Sequence, residues 1–176
     1  STLIYIDTFL RALHAANVKS QPSAAQKLEE AEQRLVGVSR FERFLALPRA
    51  ALYAVDAGAL EKARNYSTEL FALAAAPEAG WTAKSRAYAA HIAHAVAGRL
   101  DLRTGDLAGA KRRLSEASKA YGSAPMTVLR PDMSLASELF DRGEKAAVLE
   151  YLGECAKNWK MDNGHTAAWI AVIEQG

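Results

Sequence analysis

The sequence predicts an all-α protein built from stacked helical hairpins, and three observations carry that prediction. Apolar residues recur at helical spacing almost throughout. No stretch keeps the strict alternation of a half-buried strand. Glycines at 58, 105 and 143 punctuate the helical pattern, with small residues at matching distances on either side.

A first helix is expected from Thr2 to about Asn17, with Leu3, Ile6, Leu10 and Leu13 on one face. Gln21-Pro22-Ser23 interrupts it. Ser23 and Gln26 then form a capping box for a helix ending near Gly37, and these two helices make an N-terminal hairpin over 1–38. Ser39 and Glu42 form a second capping box, and Pro48 is expected to kink or break the helix they open. The pattern resumes from Arg49 to Asp56, Gly58 ends it, and a helix from Ala59 to about Ala75 is closed by Pro77. Thr82 caps a long helix from Ala83 to Arg103, Gly105 ends it, and Asp106 caps the next, which runs to Tyr121-Gly122. Pro125 and Pro131 bracket the start of a helix reaching Asp141. Gly143 leads to another from Glu144 to about Trp159, and Asp162-Asn163-Gly164 turns into a last helix, His165 to Glu174.

Stacked hairpins repeat their packing residues at fixed offsets from the turn. Five residues after the three glycines stand Ala63, Ala110 and Val148; twelve after stand Leu70, Ala117 and Cys155; seven before stand Ala51, Gly98 and Ala136. In the middle unit Gly98 admits a close helix approach, Gly105-Asp106 ends one helix and starts the next, and Ala110, Leu114 and Ala117 form a narrow apolar stripe. On Gly98, Gly105, Asp106, Ala110, Leu114 and Ala117 the segment resembles a tetratricopeptide repeat, a helical hairpin of about 34 residues. It offers His94 and Asp101 where that family carries aromatics, and Gly122 where a proline usually follows. The resemblance implies a right-handed solenoid of three to four hairpins, with tetratricopeptide-like hairpins over 39–159 following the N-terminal one. A C-terminal helix at 164–176 would cap it, its Ala167, Ile170 and Ile173 shielding the last hairpin.

Composition fits one domain. Half of the 176 residues are hydrophobic and 24% are charged, and a chain of this size buries roughly 70% of its unfolded surface. The 22 basic and 20 acidic residues are interspersed, so no strong field gathers nucleic acid. No apolar run approaches the roughly 18–20 residues that span a bilayer, so no transmembrane segment is expected. A single cysteine forms no internal disulfide framework and no zinc site by itself. The start at Ser1 fits a removed initiator, a trimmed chain or a cleaved export signal alike, so the compartment stays open, the cytoplasm being preferred to an exported mature form.

Candidate chemistry is sparse. His91 and His94 lie three apart and Asp101 seven beyond His94, a spacing that two metal-binding imidazoles and a carboxylate would use, but hydrogen bonding within a helical interface is the expected role and no metal or other cofactor is predicted. Cys155 lies on an apolar stripe with no base beside it and reads as a core residue. Lys111-Arg112-Arg113 spreads over a solvated face, and Trp81, Trp159 and Trp169 anchor neighbouring helices.

In the tetratricopeptide family the first helix of each hairpin lines a concave groove. The resemblance places Ile92, Arg99, Leu102 and Arg103 there, continued by Arg130, Met133, Ser137 and Phe140 in the next unit. Such a partly basic channel suits a peptide bearing a carboxylate. The competing expectation is that these arginines pair with Asp101, Asp141 or Glu138 and leave an ordinary surface. The chain is therefore read as a non-enzymatic module binding a protein or peptide. One alternative is an all-helical small-ligand binder or enzyme with a pocket between the N-terminal helices and the array, where Tyr5, Asp7 and His14 are the candidates. A self-associating structural homo-oligomer is the other.

Overall fold

The computed structural model describes residues 11, 21–76, 78, 80–124 and 129–176. Among them are eight helices and no strand: α1 (Ala24–Gln33), α2 (Arg40–Asp56), α3 (Leu60–Ala75), α4 (Ala83–Arg103), α5 (Leu107–Gly122), α6 (Ser134–Asp141), α7 (Lys145–Asn158) and α8 (His165–Gln175). Of the first expected helix only Arg11 is among the described residues; Tyr5, Asp7 and His14 lie outside them.

The helix starts follow local chemistry. Both capping boxes form, at Ser23 with Gln26 and at Ser39 with Glu42, each satisfying two otherwise unpaired backbone N–H groups. Thr82 accepts from the Ser85 N–H and Asp106 from the Gly109 N–H. α1 ends at Gln33 rather than near Gly37 because its last turn tightens into i→i+3 bonds, Leu35 N–H to Glu32 and Val36 N–H to Gln33.

Of the kink or break expected at Pro48, the break does not occur: α2 continues through it. An internal proline costs a helix about 3 kcal/mol. Here Pro48 is buried with Phe44, Leu47, Ala50, Ala51, Ala54 and Val55, and packing of α2 against α1, α3 and α4 outweighs that cost.

Three turns share one geometry. Gly58, Gly105 and Gly143 have φ of +72°, +81° and +83°, a region that only glycine enters without strain. Around each, a bond spans five residues: Ala59 N–H to Ala54 C=O, Asp106 N–H to Asp101 C=O, and Glu144 N–H to Leu139 C=O. The hairpins so closed are α2/α3, α4/α5 and α6/α7. All nine residues at the repeated offsets, from Ala51 to Cys155, are buried. Each hairpin packs on the next: α2 meets α4 and α4 meets α6, while α3 meets α4 and α5 meets both α6 and α7.

Two hydrophobic clusters meet at α4. Ala89, Ile92, Ala93, Val96 and Leu100 join the cluster of α1–α3, whereas Ala87 and Leu102 join that of α5–α8. Hence α4 is buried around most of its circumference. At the far end, α8 lays Trp169, Ile170 and Ile173 on the second cluster and buries Thr166, while Ala167 is exposed. The stripe runs 166, 169, 170, 173 at helical spacing, so the expected contribution of Ala167 is corrected: it lies about 100° from Thr166. Among the described residues no helix is long and apolar enough to cross a membrane.

Candidate functional site

The expected groove residues separate into different environments. Ile92 is fully buried in the first cluster and Leu102 is buried in the second, so neither lines a surface. The physical reason is the double packing of α4, which leaves its apolar residues no free face. Met133 is partly buried against the second cluster. Ser137 is exposed, as is Phe140 at 39%. Arg130 precedes α6 and lies over the Trp169 ring, 5.3 Å from its centroid.

The structure brings Arg99 and Arg103 together, and neutralises them. The Arg99 side chain is only 7% exposed; its Nε–H donates to Glu138 at 2.7 Å and its Nη2 donates to Asp56 at 2.7 Å. One turn later, Arg103 donates through Nη1 and Nη2 to the two oxygens of the same Glu138, at 2.5 and 3.0 Å. Burial by itself would raise the Glu138 carboxyl, but hydrogen bonds from Arg103 and Arg99 override it and hold the group below the usual carboxylate range. Two cations and two carboxylates from three successive hairpins thus cancel. These arginines join hairpins to one another, and Arg99 Nη1 is buried without a hydrogen-bond partner among the described residues. Glu138 was one of the partners that the sequence raised; Asp56 was not, because it lies 43 residues from Arg99.

His91 and His94 also separate. The His91 ring is fully buried, and the Asp132 N–H donates to its Nε2 at 2.8 Å. A backbone N–H only donates, so Nε2 is the bare nitrogen and Nδ1–H donates to the Ala117 carbonyl, also at 2.8 Å. Burial pushes the ring pKa down, the neutral form being the one both partners require. Tyr121 and Tyr151 tie the same connection between hairpins by donating their hydroxyls to the Leu129 and Asp132 carbonyls. Both His91 nitrogens are therefore engaged, and neither ligates a metal or serves as a base. His94 packs edge-on against Phe71 and meets Arg113 at 3.4 Å, while Arg113 lies 3.9 Å from Asp101. Among the described residues no group of three or more potential ligands is placed to hold a metal ion. Burial pushes the Cys155 thiol up to about 12, a value at which it is no nucleophile near neutral pH.

The remaining anchors are structural. Trp81 stacks on Phe44 with ring centroids 4.3 Å apart, and Trp159 and Trp169 face each other at 6.3 Å. Lys111, Arg112 and Arg113 diverge toward Glu144, Asp106 and Asp101.

A groove does lie between the N-terminal hairpin and the array, but none of its lining residues was singled out from the sequence. α1 and the outer face of α2 form an open groove of about 210 Å³, lined by the apolar Ala31, Leu45, Ala46 and Tyr53 and by the charged Lys27, Glu30, Arg34 and Arg49. Leu45, Arg49 and Tyr53 recur every four residues, a stripe visible in the sequence but not interpretable until α1 is placed beside it. Compared with known protein-family models, curated proteins and solved structures, the chain matches none.

Proposed function

We propose that this chain is a non-enzymatic protein-interaction module, a tetratricopeptide-like right-handed array whose first-helix side receives a peptide or partner segment. The observation that supports it is the threefold recurrence of one turn geometry, with its buried small residues, in hairpins that pack each on the next. Stacking of that kind builds extended surfaces suited to binding chain segments. The engagement of both His91 nitrogens and the burial of Cys155 favour this reading over a catalytic one.

Selection of an unbiased display library of peptides of about 16 residues against the folded chain tests the proposal. Enrichment of a motif whose binding perturbs residues of α2, α4 or α6 in a chemical-shift map is expected. Absence of any enriched motif on a chain that melts cooperatively would overturn it.

A further inference from the structure

The groove between α1 and α2 gathers cations that form no ion pair among the described residues. α1, its C-cap and α2 carry five cations: Lys27, Arg34, Arg40, Arg43 and Arg49. Arg40 pairs with Glu78 and Arg43 with Glu69, and both lie outside the groove. Lys27, Arg34 and Arg49 line it, and none has an ion-pair partner among the described residues. On the opposite side of α1, Glu32 is held by Lys62 and Tyr66. At the groove itself, three cations face a single carboxylate, Glu30. Between them, Leu45 stands 56% exposed although it is a large apolar residue on a packed helix.

We propose that this groove binds an acidic peptide carrying one bulky apolar anchor residue. The inference rests on the reading of the chain as an interaction module and gives that reading a site and a ligand chemistry. The anchor packs against Leu45 and Ala46 of α2 and Ala31 of α1, where about 210 Å³ accommodates one large side chain rather than the flat face of a folded partner. Carboxylates on either side of the anchor reach Arg34 and Arg49, whose planar guanidinium groups donate paired hydrogen bonds to them, and Lys27 adds a point charge. A peptide is preferred to a nucleic acid because Glu30 stands on the rim and the whole chain carries a net charge of only +2.

The test uses fluorescence anisotropy on the full chain. The probe is a labelled peptide of about 14 residues, rich in Asp and Glu, with a central Phe. Saturable binding is expected, weakened about tenfold or more when the central Phe is replaced by Ala, and weakened at least as much by Arg34→Glu with Arg49→Glu. A lysine-flanked version of the probe should bind the charge-reversed variant better than it binds the original chain. Leu45→Asp, at an exposed position, provides a second loss of binding should the double variant fail to fold. No saturable binding to the folded chain, undiminished binding by folded variants, or equal affinity for a single-stranded oligonucleotide of the same charge would each overturn the proposal. Failure here with a successful library selection condemns the groove alone; failure of both condemns the interaction reading.

Discussion

His91 provides the most direct test of how the hairpins are joined. Replacing it with leucine keeps a side chain of similar bulk, so the loss is polar rather than volumetric. The Asp132 N–H, which donates to Nε2 at 2.8 Å, is left without its acceptor inside the protein. The Ala117 carbonyl loses the Nδ1–H but keeps the partner that an intrahelical carbonyl has by construction. A stranded buried donor costs about 1–3 kcal/mol, and the second bond adds about 1 kcal/mol, so His91→Leu should destabilise the chain by about 3 kcal/mol. For a chain of this size that lowers Tm by roughly 6–12 °C. Thermal melting followed by circular dichroism at pH 7.5, with hydrogen exchange as a local readout, measures both the cost and its place. Exchange should accelerate first in residues 129–134, whose backbone is tied by His91, Tyr121 and Tyr151. A loss below about 0.5 kcal/mol, or unchanged protection of that connection, would refute the account of His91 as a neutral, doubly bonded strut.

Three further outcomes follow from the same geometry. Burial, reinforced by Arg113, pushes the His94 ring down to about 4, and burial moves His91 in the same direction. The unfolded chain then takes up protons near pH 6.5 that the folded chain refuses, so stability is complete above about 6.5 and declines as pH falls below it. Urea midpoints measured from pH 7.5 to 5 should show that decline, shallower in His94→Phe; a flat profile would contradict it. Gly98→Ala places a Cβ 2.4 Å from Leu135 Cδ2 and 2.9 Å from Arg113 Cβ, and overpacking of this kind costs about 1–3 kcal/mol, readable as a lower urea midpoint with an unchanged slope. Cys155, fully buried with its thiol pushed up to about 12, should label with a thiol reagent more than about a hundredfold slower in buffer than in denaturant, because reaction waits on opening; rapid native labelling would refute its burial.

Much of the fold was legible because its signals are short. A capping box involves residues three apart, and a glycine turn is closed by a bond over five; Ser23, Ser39, Thr82, Asp106 and the glycines at 58, 105 and 143 therefore announce the helix ends without any knowledge of neighbours. Pro48 is the instructive exception. Its local cost was read correctly from propensity, yet the outcome was set by three helices packed around α2.

The candidate site was less legible. Arg99 and Arg103 were recognisable as neighbours on one helix face, but whether they greet a ligand or one another's hairpins depended on Glu138 and Asp56, which lie 39 and 43 residues from Arg99. Ile92 and Leu102 looked eligible for a groove until α4 was found wedged between two clusters. Helix identity, caps, turns and the spacing of the small buried residues belong to the sequence by itself, since periodicity and local hydrogen bonding act within a turn or two of the chain. The cancellation of the expected basic groove, and the three unpaired cations around Leu45, were decided only by tertiary structure, because the state of a charge depends on which distant side chain packing brings within reach.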